Sequence, residues 1–377
     1  MVKPFVIDLF SGCGGFGLGA RLAGFDCRIA IDIDPDLQSS YAMNFPATKA
    51  LLRDIGAITE SDWDELLGDE RPDGIIGGPP CQGFSRMGKR DAEDPRNDLI
   101  GHYFRHISIL RPKFFIMENV EGLLDEGTVD RLMTELQDIA KYYTVLDPMI
   151  IDASEFGAPT IRKRVVIVGY DADRVAPMTH ADFMEKKVER PVTVRDAISD
   201  LPGPVDGTSK LTKFFWAPMP EVSPFELSAY AQYARALPPK GMGWAKAIEN
   251  LSAGKISGLQ MTEHTEGVKA RYLATPPGTS DKTSKSYRLT WAGQCKTLRA
   301  GTGSDKGSFQ AVRPLHPAEG RVITVREAAR LQGFPDWFVF HPTKWHSFRM
   351  IGNSVSPIVS KALLEVVAPR LALRKAA

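Results

Sequence analysis

Cys81 stands in the stretch Gly77 to Ser85, directly after two glycines and two prolines. Glycine permits unusual backbone angles, while Pro79 and Pro80 fix φ and remove two donors. The preceding residues Asp73-Gly74-Ile75-Ile76 read as the end of a short buried strand. The chain is expected to leave a sheet there, turn sharply and hold a thiol in a rigid loop. Such a thiol is a candidate nucleophile. On Pro79-Pro80-Cys81-Gln82 alone, a buried structural cysteine beside a turn is an equal reading. A second reactive group, Glu118, follows the apolar run Phe114 to Met117. Open α/β sheets bind ligands at the C-terminal ends of their strands. A cysteine and a carboxylate at two neighbouring strand tips therefore make a candidate catalytic pair; the alternative for Glu118 is a helix cap or an ion-pair partner. Arg162 and Arg164, at alternate positions entering a strand, point the same way. They suit a phosphate or a base carbonyl, or else form a solvated basic edge.

The elements that position these groups begin at Phe5 to Phe10, a nearly continuous apolar run expected to be a buried parallel strand. The turn Ser11-Gly12-Cys13-Gly14-Gly15-Phe16-Gly17 and a helix over Leu18 to Ala23 follow. Strand, glycine turn and helix are the first unit of a nucleotide-binding α/β fold. A second strand, Cys27 to Ile31, delivers Asp32 about 20 residues past the turn, where such folds place an acid on a ribose hydroxyl. Asp34 fits a helix N-terminus better. The turn is not G-x-G-x-x-G and suits a methyl-donor nucleoside at least as well as a dinucleotide. S-adenosylmethionine has no pyrophosphate, and its amino acid end can lie on the backbone amides of Gly12 to Gly15. Asp54 is a candidate for the adenine amino group, with a solvated loop acid as the equal alternative.

Ser85 to Asn97 reads as a polar loop suited to closing over substrate, and Asp98 to Leu110 as a helix. An amphipathic helix follows over Arg131 to Tyr142, then strands over Thr144 to Ile151 and Val165 to Tyr170. From about Asp171 to Gly320 periodicity fades, and a second domain is expected. Its later part carries Lys269, Arg271, Lys282, Lys285, Arg288, Lys296, Arg299, Lys306, Arg313 and Arg321 among interleaved aromatics, a composition suited to phosphate contacts and base-edge readout. Thr324 and Glu327 make a capping box, and a C-terminal helix over Pro357 to Leu371 would return to the first domain.

The chain has 377 residues, 43% hydrophobic and 25% charged, with a formal net charge of +1. That is an ordinary globular composition with room for one large domain and a smaller one. The charge balance neither demands nor excludes nucleic acid. Cys13, Cys27, Cys81 and Cys295 form no C-x-x-C pair, so neither a zinc site nor a disulfide framework is expected, and no metal. No bilayer-spanning run and no signal peptide are expected.

Taken in order, these stretches resemble the DNA (cytosine-5)-methyltransferase family in its bacterial restriction–modification form. The matching residues are Asp8 to Gly15, Pro79 to Gln82, Glu118-Asn119-Val120, Arg162-x-Arg164, Arg326 to Pro335 and Gly352 to Val355. The resemblance spans nearly the whole chain; 171–320 is weakly matched. It implies an α/β fold, a Rossmann-like S-adenosylmethionine-dependent methyltransferase sheet with helices on both faces, plus a smaller irregular target-recognition domain. Residues 1–170 and 321–377 would form the catalytic domain and 171–320 the recognition domain. Phe10 would stack on the adenine, Ile33 pack on its other face, Asp32 bind the ribose, and Asp54 with Ile55 contact the adenine edge. Ser11, Gly12, Gly14, Gly15, Pro79, Asn353, Ser354 and Val355 would complete the cofactor site.

The same resemblance makes Cys81 the nucleophile, Glu118 the group on cytosine N3 and N4, and Arg164 a contact to O2, with Arg162 a further residue of the catalytic site. Attack of the thiolate on C6 makes C5 enamine-like, and protonated Glu118 stabilises charge at N3. Ser85, Arg96, Thr297 and Arg299 are the candidate DNA contacts. Double-stranded DNA is the expected partner, a separate cognate endonuclease a further one, and a cytoplasmic, nucleoid-associated bacterial monomer the expected form. Thr160 and Met350 stand where the family usually has Gln, and Ser356 where it has Pro. A tRNA cytosine methyltransferase, a silent DNA-binding module and a nicotinamide oxidoreductase are the competing readings; the Gly/Ser/Thr-rich recognition region, the presence of Cys81 with Glu118, and the absence of G-x-G-x-x-G count against them in turn.

Overall fold

The computed structural model describes residues 3–80, 98–126, 128–206, 213–300 and 313–373. The first half alternates strand and helix: β1 (Phe5–Leu9), α1 (Gly15–Leu22), β2 (Asp26–Asp32), α2 (Pro35–Asn44), β3 (Lys49–Leu52), α3 (Glu60–Leu67), β4 (Gly74–Gly77), α4 (Asp98–Leu110), β5 (Phe114–Asn119) and α5 (Val129–Ile139). Then come β6 (Thr144–Val145), β7 (Met149–Asp152), β8 (Thr160–Ile161) and β9 (Lys163–Tyr170). The main sheet runs β3-β2-β1-β4-β5-β9-β6, with β7 also on β9. β1 to β5 pair in parallel, and β9 is antiparallel to β5, β6 and β7.

Alternate residues of the central strands feed two separate apolar clusters. Val6, Phe114 and Ile116 join the cluster that includes Phe16, Leu18 and Leu364, while Ile7, Phe115 and Met117 join Tyr103, Ile107 and Leu136. Helices therefore cover both faces, as a parallel sheet requires. The expected strand over 144–151 is two short strands, broken at Leu146-Asp147-Pro148. β3 is a partly exposed edge strand of only four residues, Lys49-Ala50-Leu51-Leu52, too short to stand out in the sequence.

Beyond β9 the elements are short: α6 (His180–Met184), α7 (Val194–Ile198), β10 (Trp216–Pro218), α8 (Ala229–Arg235), α9 (Ala245–Ser252), β11 (Lys255–Ser257), α10 (Glu266–Ala274) and β12 (Cys295–Lys296). β10 pairs with β11, and β12 with β8. The chain then forms α11 (Val325–Gln332), α12 (Lys344–Asn353) and α13 (Pro357–Leu373). Thr324 and Glu327 make the expected capping box on α11. The stretch Lys344–Leu371, which covers α12 and most of α13, matches a membrane span by length and composition alone; 61% of its most apolar window is buried inside the protein, and α13 packs on α1 as part of the core.

Candidate active site

Two groups of expected residues meet at the C-terminal edge of the parallel strands. The first is built on the turn between β1 and α1. Gly12 and Gly14 have φ of 56° and 103°, in the left-handed region that favours glycine, and Phe10 is held at 56°. The Gly12 N–H donates to Asp32 Oδ2 at 2.8 Å, the Asp34 N–H to Asp32 Oδ1 at 2.9 Å, and the Ser11 N–H to the Ile31 carbonyl at 3.0 Å. Asp34 caps α2 by accepting from the N–H groups of Asp36 and Leu37, which leaves Asp32 as the acid facing the turn. Burial pushes the Asp32 carboxyl up to about 6, against the opposing pull of the backbone N–H groups of Gly12 and Ile33 and the charge of Arg349. The C-terminal segment closes on the same turn: a Cβ at Gly15 would strike the Val355 carbonyl and lie 3.0 Å from Ser354 Cβ. Asn353 ends α12 exposed, Ser354 Oγ donates to the Met350 carbonyl at 2.6 Å, and the Ser354 carbonyl accepts from Gln332 Nε2 at 2.9 Å.

These residues fit an adenosyl donor. Open space lies beside Gly12, where a Cβ would meet nothing within 4 Å. Asp32 offers acceptor oxygens for ribose hydroxyls. Ile33 is 66% exposed and Phe10 half-buried, so apolar surface flanks the acid. Asp54 is exposed; its Oδ1 accepts from the Gly56 N–H at 2.8 Å and caps a 3-10 turn over Ile55–Ala57. Ile55 is buried in the core, and its carbonyl is taken up by Arg105 and His106.

The second group surrounds Glu118, near the end of β5. Arg164 Nε lies 3.0 Å from Glu118 Oε1, with both side chains largely buried. The approach is an ion pair without a directed hydrogen bond to that oxygen. The ladder explains the meeting: Glu118 faces Val166 and Ile151 faces Arg164 across neighbouring rungs of β9. Arg162 is buried, donates from one guanidinium nitrogen to the Leu298 carbonyl at 3.4 Å, and is pulled down to about 9, first by burial and then by Arg164. β4 brings its loop alongside. A Cβ at Gly78 would lie 3.3 Å from Glu118 Oε2, and Asn119 Nδ2 donates to the Pro79 carbonyl at 3.0 Å. Gly78 and Pro79 are thus tied to the residues around Glu118. Cys81, Ser85 and Arg96 lie outside the described residues.

β12 runs beside β8, so Thr297 Oγ1 donates to the Ile161 carbonyl at 2.8 Å. Thr297 and Arg299 are exposed, and the Arg299–Ala300 backbone passes so close to Gly352 that a Cβ there would collide with it. The candidate DNA segment therefore lies beside β8, just before Arg162, and against the end of α12. Other basic residues are committed internally. Arg288 donates to the carbonyls of Leu273, Thr275 and Pro317, Arg271 pairs with Asp281, and Arg321 pairs with Glu319 and Glu327. Among the described residues Lys282, Lys285, Lys296 and Arg299 remain exposed, so fewer of these basic side chains are free for phosphates than the composition suggested.

The sequence of this chain matches the profile of C-5 cytosine-specific DNA methylase over residues 5–368. The chain belongs to that family. It is 38% identical over 373 residues to the Type II methyltransferase M.XorII of Xanthomonas oryzae, an alignment covering 96% of this chain and 84% of that one. The Type II methyltransferase M.DdeI of Desulfomicrobium norvegicum is 30% identical, over 96% and 87% of the two chains. Among solved structures, a candidate DNA modification methyltransferase encoded within an E. coli prophage superposes with a TM-score of 0.88 at 39% identity, covering 98% of this chain and all of that one. The Dnmt2 methyltransferase of S. pombe shares the fold, at a TM-score of 0.60 and 17% identity over 97% and 98% of the two chains.

Against the family pattern, Met350 is buried, with its carbonyl accepting from Ser354 Oγ; Thr160 Oγ1 and Ser356 Oγ are buried with no protein partner. Several supporting residues were not anticipated. Gln38 Nε2 donates to Ser11 Oγ at 3.0 Å, and Arg349 pairs with Asp34 beside Asp32. Arg105 donates to the carbonyls of Ile55, Gly56 and Ile58, and buried His106 contacts the Ile55 carbonyl at 2.9 Å. Asp8 is fully buried under the turn, and burial raises its carboxyl well above the usual range. Only Asp8 carried a signal, an acid inside an apolar strand.

Proposed function

We propose that the protein transfers a methyl group from S-adenosylmethionine to C5 of a cytosine in a specific double-stranded DNA sequence, through a flipped-out base and a Cys81–C6 covalent intermediate. The observation that carries this reading is the Glu118–Arg164 pair set against Gly78 and Pro79, three and two residues before Cys81. S-adenosylmethionine, when bound, supplies the methyl group on a sulfonium that is open to an electron-rich carbon.

The chain's own residues prepare that carbon. Cys81 as thiolate adds to C6, and the S–C6 bond pushes electrons toward N3. Glu118 gives its proton to N3, and Arg164 donates to the ring's O2. After C5 carries the methyl group, solvent water takes the C5 proton, the C5–C6 double bond re-forms as the Cys81 thiolate leaves C6, and N3 returns its proton to Glu118. Cys13, Cys27 and Cys295 are unsuited to this role: all three are buried, and burial pushes the thiols of Cys13 and Cys295 up to about 12 and that of Cys27 higher still. Extruding the base costs a few kcal/mol, which contacts from 85–97 and from residues 171–320, acting as a target-recognition domain, would offset. Residues 1–170 and 321–377 form the catalytic domain in this reading. The enzyme acts as a monomer on nucleoid DNA in the cytoplasm and protects it from a separate endonuclease, without a metal.

A duplex carrying 5-fluorocytosine at the target tests the mechanism. Fluorine cannot leave C5 as a proton, so the enzyme should stay covalently attached, only with S-adenosylmethionine present and only through Cys81. Mass spectrometry locates the adduct. An adduct on another cysteine, or full activity in Cys81→Ala, overturns the assignment.

A further inference from the structure

One face of α12 carries a row of contacts. Lys344, Phe348 and Gly352 are four residues apart, so they lie one above another, roughly 6 Å per step. Gly352 meets the Arg299–Ala300 backbone. The Arg313 guanidinium lies over the Phe348 ring, 4.0 Å from its centroid, and its Nη1 donates to Thr262 Oγ1 at 3.3 Å. Lys344 Nζ donates to the carbonyl of Met261, the residue before Thr262, at 2.6 Å. Arg313 and Lys344 are therefore seated side by side on Met261-Thr262, in line with the segment that carries Arg299.

Neither cation is neutralised. Arg235, Arg271 and Arg321 each pair with a carboxylate, whereas among the described residues no carboxylate lies within ion-pair distance of Arg313 or Lys344. Burial pulls Arg313 down to about 10. Burial, and then the charge of Arg313, pull Lys344 below its usual range, against the opposing pull of exposed Glu263. Both side chains belong to half-buried residues, so the site keeps surface open to solvent. Holding like charges together, partly desolvated and unpaired, is unfavourable until an anion joins them.

We propose that Arg313 and Lys344 bind phosphates of a DNA strand, extending along α12 the surface that carries Arg299. The inference rests on the reading of double-stranded DNA as the substrate. An arginine fork and a lysine ammonium suit phosphate oxygens, and Thr262 takes one of the fork's five donors. Phosphate contacts fix register and carry no sequence information. The pair seats the duplex along α12, whichever bases the recognition region reads.

Fluorescence anisotropy of the full chain with a labelled mixed-sequence duplex, titrated with KCl, tests this. Lys344→Gln and Arg313→Gln should each weaken binding about tenfold at about 0.1 M salt. Each should also lower the slope of log affinity against log salt by about one, and the double variant by about two. Arg313→Lys keeps the charge and should keep the slope. Calorimetry should find S-adenosylmethionine affinity within about twofold of the parent in every variant. Lys186, exposed just past α6, is the control, and Lys186→Gln should keep the parental slope. Should Arg313→Gln fail to fold, Lys344→Gln decides alone. Parental slopes in the glutamine variants, losses of affinity that do not depend on salt, or an equal slope loss in Lys186→Gln overturn the proposal. A parent that binds no duplex overturns the DNA reading along with it; normal duplex binding with unchanged slopes overturns this proposal only.

Discussion

The Asp32 carboxylate accepts the Gly12 N–H at 2.8 Å, so the acid at the end of β2 and the turn at the end of β1 form one unit. Burial raises the carboxyl to about 6, while the same N–H pulls it down. A carboxyl whose folded pKa lies above its unfolded value stabilises the fold below the unfolded value. That contribution is lost as pH climbs through about 6. Ribose hydroxyls donating to Asp32 would favour the ionised form. Affinity for S-adenosylmethionine should therefore be constant above neutrality and fall by up to about tenfold per pH unit in acid. Asp32→Asn should bind weakly with a flat profile. Calorimetry from pH 5 to 8 checks this, and a flat profile in the parent would detach Asp32 from the donor.

Gly15 tests the closure of the C-terminal segment on the turn. Its missing Cβ is replaced in space by the Val355 carbonyl, and backbone cannot yield as a flexible side chain can. Gly15→Ala should destabilise by roughly 1–3 kcal/mol and weaken donor binding, because the turn and Ser354-Val355 must separate. Gly267, in the first turn of α10 with open space around it, is the control. Gly267→Ala should leave the melting temperature unchanged or slightly raised. Equal losses from both would mean that the packing at Gly15 is not special.

The elements flanking the site were legible for a physical reason. Strands buried on both faces read as unbroken apolar runs, so Phe5 to Leu9 and Phe114 to Met117 announced themselves, and Asp98–Leu110 forms the helix expected. Asp34 and Thr324 were readable because caps are local. β3 was not, being a four-residue edge strand with little to bury. The roles of Arg271, Arg288 and Arg321 were also hidden: a buried arginine and a phosphate-binding one look alike until their partners, here Asp281, backbone carbonyls and Glu327, are placed beside them. The meeting of Glu118 with Arg164 depends on antiparallel register, which a 46-residue separation does not reveal.

Removing Arg164 should separate positioning from binding. Arg164→Ala leaves Glu118, largely buried, without its nearest cation. In the proposed chemistry Arg164 also donates to the base. kcat should fall by about 10²–10³-fold, as for loss of a donor aimed at developing charge, with donor affinity nearly unchanged. Arg164→Lys keeps the charge but not the fork, and should recover only part of the rate. Single-turnover assays with methyl-labelled donor separate these cases; loss of donor binding equal to the loss of rate would place Arg164 in the wrong site.

Arg330 tests how the short elements after β9 are held to the sheet domain. It is fully buried on α11 and donates to both oxygens of Asp336 at 2.9 and 2.7 Å and to the Ala197 carbonyl at 3.0 Å, while Asp200 pairs with it at 2.5 Å. Arg330→Met removes the cation that donates to both Asp336 oxygens and leaves that buried carboxylate only the longer ion pair to Arg326 at 3.8 Å, a change that costs up to about 3–5 kcal/mol. Asp200 keeps Arg235 as a partner at 2.6 Å, so the largest loss falls on Asp336. Arg330→Met combined with Asp336→Asn should therefore be more stable than Arg330→Met alone, although two interactions are gone. Urea unfolding of the parent, the two single variants and the double variant measures the coupling. Because Ala197 and Asp200 belong to the proposed recognition region, Arg330→Met should also weaken duplex binding more than donor binding. Equal weakening of both, or strictly additive stabilities, would show that Arg330 is not the anchor of that region.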